Sequence, residues 1–91
     1  MKNNLPFNEN SISENVKIRE FDENVDSGEL TWHRDREDRI VKVIEGHNWK
    51  LQLDNQLPVT LSEGKEYFIP KGEWHRVIKG NDTLKIQVTK L

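Results

Sequence analysis

Apolar and polar positions alternate with a period of two along most of this chain, in short runs separated by turn residues. Trp49-Lys50-Leu51-Gln52-Leu53-Asp54 puts Trp49, Leu51 and Leu53 on one face, and Leu57-Pro58-Val59-Thr60-Leu61 alternates in the same way. Arg39 to Glu45 is a β-branched apolar run. Val16 to Phe21, Glu29 to Asp35, Lys65 to Ile69 and Leu84 to Val88 complete the strand candidates. Between them lie a loop from Asp22 to Gly28, a charged bend at Arg36-Glu37-Asp38, and turns at Gly46-His47-Asn48, Asn55-Gln56, Ser62 to Gly64 and Gly80-Asn81-Asp82. There is no helical periodicity of useful length and no internal repeat. Short strands at intervals of roughly eight to ten residues predict an all-β barrel or sandwich. Residues 1–15 are polar, with Leu5, Phe7 and Ile12 as the only large apolar side chains, and predict an N-terminal arm, either mobile or docked by those three residues against a neighbour. Residues 16–91 are expected to form the barrel domain.

The stretch from Gly64 to His75 is the most informative. It predicts a strand, a tight Pro70-Lys71-Gly72 turn and a second strand beginning at Glu73. Pro70 fixes its φ and cannot donate to a strand ladder, so it belongs at a strand end. Alternation then places His75 and Val77 on one face and Trp74, Arg76 and Ile78 on the other. The imidazole of His75 thus sits just past a strand-to-strand turn, able to point into whatever the sheet encloses. Its candidate partner is Trp32-His33-Arg34-Asp35, where His33 and Asp35 share a face if the chain is extended.

Composition narrows the function. Ninety-one residues make one small domain, and with 33% hydrophobic residues its core is thin, so self-association as a homodimer is expected. The 14 basic and 16 acidic residues are interspersed and nearly cancel, which leaves no basic face for nucleic acid and no polybasic segment for a membrane surface. Cysteine is absent, which excludes disulfides, thiolate metal sites and a cysteine nucleophile. There is no glycine-rich phosphate loop and no serine in a nucleophile elbow. The first six residues hold no apolar signal core and no window reaches a membrane-spanning length, so a cytoplasmic location is the expectation.

Gly64, Pro70, Gly72 and His75 follow the order Gly, five residues, Pro, x, Gly, two residues, His. This resembles the second conserved motif of the cupin superfamily. The first cupin motif runs His-x-His, three or four residues, Glu, six residues, Gly; His33 and Gly46 match it, while Asp35 stands at the second histidine and Arg39 at the glutamate. The resemblance spans residues 29–79 and implies a small, single-domain jelly-roll β-barrel of the RmlC-like type. Such barrels are often dimeric, with a pocket holding a divalent metal on three histidines and a glutamate.

Carried over residue by residue, the resemblance assigns His33 and His75 as metal ligands. Asp35 departs from the motif but brings a carboxylate, and two histidines with one carboxylate form a facial set that leaves open positions; Fe, Mn, Ni or Zn would all suit it. Arg39 opposes a metal. A guanidinium about 5 Å from a dication would be repelled by on the order of 7 kcal/mol at an effective dielectric near 20, unless Asp35, Glu37 or Asp38 holds it aside. Arg39 is otherwise read as an ion pair with Asp35 or as a ligand for a small anion. Gln52 and Arg76 are the other candidate ligand-binding residues. His47 is expected to be a solvated turn residue, and Trp32 and Trp74 to pack on the face opposite the histidines.

Three functions stay open on these residues. One is a metal-dependent enzyme, an oxygenase or an isomerase-like one, acting on a small, anionic organic ligand. Another is a metal-free binding protein for a sugar or organic acid, with Asp35 and Arg39 as a structural ion pair. The third is a metal-free His–Asp acid–base enzyme. Fold alone does not choose among them.

Overall fold

The computed structural model describes residues 5–91; the expected arm residues Met1 to Asn4 lie outside the described residues. Eight strands follow in chain order: β1 (Asn8–Ser11), β2 (Val16–Phe21), β3 (Arg39–Glu45), β4 (Lys50–Leu53), β5 (Val59–Thr60), β6 (Glu66–Ile69), β7 (His75–Ile78) and β8 (Leu84–Lys90). They form two antiparallel sheets, one of five strands in the order β1-β2-β8-β3-β6 and one of three in the order β5-β4-β7. The all-β jelly-roll expectation therefore holds. No helix among the described residues is long and apolar enough to cross a membrane.

The alternation in sequence is what closes the barrel. Val41 and Val43 of β3 lie opposite Val88 and Ile86 of β8, and all four point inward and are buried. From the facing sheet comes Leu51, with Trp49 just before β4 and with Leu61, Ile69 and Leu84 filling the space between. Burying such side chains stabilises a fold by about 1.5–3 kcal/mol each, and this row of alternate residues is where that energy is concentrated. Trp49 is wholly buried, and its indole N–H donates to the Asp82 carbonyl at 2.8 Å, so its polar edge is also satisfied.

The turns hold the sheets in register. Gly72 has φ +75°, a left-handed value that favours glycine, and lets the chain reverse directly after Pro70. At the other end of the barrel the β3–β4 and β7–β8 turns press together. A Cβ on Gly80 would collide with the His47 carbonyl and with Trp49.

Two expectations are corrected here. Asn8–Ser11, expected within the arm, pairs antiparallel with β2 as the edge strand of the larger sheet, and Phe7 packs on Phe21 at 5.2 Å. Its pairing is carried by the backbone and by Glu9 ion pairs to Arg19 and Lys17, so hydrophobic pattern gave no sign of it. The strand expected over Glu29 to Asp35 does not form. The Asp26 side chain accepts from Gly28 N at 2.9 Å and starts a single 3-10 turn, Ser27–Glu29. Beyond it the chain is extended, but pairs with β7 only at His33 and His75, whose two backbone hydrogen bonds measure 2.9 and 2.8 Å.

Candidate metal centre

That single backbone pair brings the two histidines together. His33 and His75 occupy directly opposed positions, with ring centroids 4.2 Å apart. Asp35 follows His33 by one alternation and so faces the same way. Its loop is pinned by Gly72 N donating to the Asp35 carbonyl at 2.8 Å and by Lys71 N donating to Asp38 Oδ1 at 2.8 Å. As a result one ligand atom from each of His33, Asp35 and His75 lies within 4.8 Å of the others. The sequence reading that joined these three residues describes the geometry, although the strand meant to carry two of them is absent.

The tautomers follow from the backbone. His75 Nδ1 lies 2.9 Å from the Glu73 carbonyl, and His33 Nδ1 lies 3.2 Å from the Thr31 carbonyl. A carbonyl oxygen only accepts, so each Nδ1 carries the proton, and each neutral ring keeps its lone pair on Nε2. His75 Nε2 then faces Asp35 Oδ2 at 3.3 Å, acceptor against acceptor. Buried Asp35 Oδ2 has no hydrogen-bond partner among the described residues. Burial pushes the His75 imidazole below the usual histidine range, against the opposing pull of the Glu73 carbonyl and Asp35, so a neutral ring is favoured. Two lone pairs and an unsatisfied carboxylate oxygen converging on one point fit a cation. Carbonyl bonds to the outer imidazole nitrogens are also how metal-ligating histidines are commonly oriented.

Arg39 is held aside, chiefly by Glu37. Its Nε and Nη2 donate to Glu37 Oε1 at 3.0 and 2.7 Å, and its Nη1 lies 3.4 Å from Asp35 Oδ1. The same contacts draw the Glu37 carboxyl below its ordinary range. Its charge is thus largely balanced before any metal or ligand arrives.

The site opens into a cavity of about 330 Å³ between the sheets, with a polar rim at Glu29, Thr31 and His33 and an apolar interior. Volume and lining suit a small organic molecule. Gln52 and Arg76, expected as ligand-binding residues, do not line it. His75 and Leu53 are register partners, and so are Arg76 and Gln52, so turning His75 inward turns the second pair outward. There Arg76 Nε donates to Gln52 Oε1 at 2.9 Å, while the guanidinium lies over Trp32 at 4.9 Å and Arg34 lies over Trp74 at 5.0 Å. Trp32 and Trp74 are half-exposed on that outer face, as their parity predicts. Trp49 belongs to the core and not to the cavity wall. Arg19 and Glu29 line the cavity and were missed as site residues, whereas Glu37 holds Arg39 aside as one of the three carboxylates expected to do so. For Arg19 the available signal was that it shares strand parity with Phe21.

No protein-family model matches the sequence, and no curated protein matches it. Solved structures do. A cupin of RmlC-like type with a double-stranded β-helix fold, from Methanocaldococcus jannaschii, superposes with a TM-score of 0.69 at 22% identity, covering 99% of this chain and 84% of the other.

The chain carries the cupin fold.

A structure of the DMSP lyases RdDddP and RnDddQII gives a TM-score of 0.72 at 20% identity, over 82% of this chain and 36% of that one. Iron(II)-containing HppE gives 0.66 at 15% identity, over 84% of this chain and 41% of that one. The chain thus spans less than half the length of these two proteins.

Proposed function

We propose that this cupin is a divalent-metal protein in which His33, Asp35 and His75 hold the ion and the adjoining cavity holds a small organic substrate. The observation that carries this reading is that one ligand atom each of His33, Asp35 and His75 lies within 4.8 Å of the others, beside Asp35 Oδ2, a buried oxygen with no hydrogen-bond partner among the described residues. Two histidines and one carboxylate suit non-haem iron(II), and Mn, Ni or Zn as alternatives. The iron in HppE is in keeping with that donor class. When bound, such an ion would supply Lewis acidity, and with iron also redox chemistry, at the mouth of the cavity. The chain's own part is to fix the imidazole tautomers through Glu73 and Thr31, to keep Arg39 on Glu37, and to exclude water with the apolar interior.

A second reading, a metal-free small-molecule binding protein, is favoured by the Asp35–Arg39 contact at 3.4 Å. Elemental analysis of tag-free protein separates the two, followed by re-addition of Fe(II), Mn(II), Ni(II) and Zn(II) to chelated samples. Near-stoichiometric metal that is lost in His75→Ala is the expected result. No metal and no thermal shift with any of the ions sinks the metal reading and leaves the binding protein.

A further inference from the structure

The charges around the cavity select the kind of molecule that enters it. Two guanidiniums reach its wall from the inner face of the larger sheet, Arg19 on β2 and Arg39 on β3. Each is already matched. Arg19 Nε donates to Glu9 at 2.7 Å and its guanidinium lies 4.4 Å from the Phe7 ring centroid, while Arg39 is held twice by Glu37 and once by Asp35. An anionic ligand would have to displace a carboxylate from either one, so the sequence expectation that Arg39 binds an acid group is not favoured. Glu29 differs. It stands exposed on the cavity rim as the last residue of the 3-10 turn, and its carboxylate has no ion-pair or hydrogen-bond partner among the described residues. Behind it the wall is apolar, with Phe21, Leu51, Leu61, Ile69, Ile86 and Val88.

We infer that the cavity takes a small organic cation, a compact amine whose apolar body fills the barrel and whose ammonium group stays at the rim against Glu29. The inference rests on the cavity being the ligand site but not on the metal. The probe is a matched set with one six-membered ring: cyclohexylmethylamine, cyclohexylmethanol and cyclohexanecarboxylate. Each is titrated into the chelated, ¹⁵N-labelled full chain and followed by chemical shifts. The amine should bind about fivefold tighter than the alcohol, the range of a partly exposed ion pair, with the carboxylate weakest. Glu29→Gln should remove the amine's advantage and leave the alcohol unchanged. A carboxylate that binds as well as the amine, an advantage that survives Glu29→Gln, or no binding by any of the three overturns the proposal. Metal is absent from these titrations, so a protein that prefers the amine yet never binds metal would fail only the metal reading.

Discussion

His75 Nε2 and Asp35 Oδ2 face each other across 3.3 Å with no proton available to join them, because the Glu73 carbonyl holds the imidazole proton on Nδ1. Asp35→Asn tests this directly. The new amide can donate to the Nε2 lone pair, so the metal-free variant should be at least as stable as the parent, by up to about 1 kcal/mol. Its metal affinity should fall by on the order of 100-fold or more, since loss of even an outer-shell partner costs 10–100-fold. Chelated melts and metal titration of the same samples read both effects. A variant destabilised without metal would mean that His75 donates to Asp35 in the parent.

Arg39 gives the second prediction. Glu37 carries two of its hydrogen bonds, so Glu37→Gln should release the guanidinium towards Asp35 and weaken metal binding, with the fold unchanged. Arg39→Glu should act in the opposite sense, adding a carboxylate near the site and raising metal affinity above the parent. Competition against a chelator ranks the three proteins. Equal affinities would show that Arg39 does not act on the site at all.

Part of this site was legible because Arg39 and His75 sit on strands with strong patterns. β3 runs from Arg39 to Glu45 as its β-branched residues predict, and the Pro70-Lys71-Gly72 turn delivers His75 inward. Where polar contacts decide, the pattern fails. In β2, Val16 and Ile18 look like the core face, yet Arg19 and Phe21 pair with buried Ile86 and Leu84 and point inward. Arg19 is tolerated there because Glu9 of β1 meets it, and nothing in the spacing of residues 8–11 announces a strand. The segment before His33 likewise has strand-like residues, but Asp26 starts a turn and only one backbone pair reaches β7.

The press between the β3–β4 and β7–β8 turns gives a stability prediction. Gly80→Ala would drive a methyl group into the His47 carbonyl and Trp49, which is wholly buried and cannot retreat. Overpacking of this kind typically costs about 1–3 kcal/mol. Urea denaturation should show the midpoint fall with the slope unchanged; an unaltered midpoint would mean that the two turns separate freely.

The same turns carry a pH dependence. His47 Nδ1 lies 2.6 Å from Asp82 Oδ2, and Asp82 Oδ1 accepts from His47 N at 2.8 Å. The Asp82 hydrogen bond and charge, with a smaller contribution from Glu63, raise the His47 pKa, while bonding to His47 lowers that of Asp82. A raised histidine pKa gives stability that is complete below the unfolded value, near 6.5, and is lost as pH rises through the folded value. A lowered aspartate pKa gives stability present above its unfolded value, near 3.9, and lost as pH falls through the folded one. The clamp should therefore be strongest from about pH 4 to 6.5 and weaken above that. Both groups are exposed at the surface, so the effect is small and should shrink in high salt. Melting temperatures of the parent and His47→Gln should differ most at pH 5.5 and converge at pH 8.5. A constant difference across that range would show that the pair is not ionised as described.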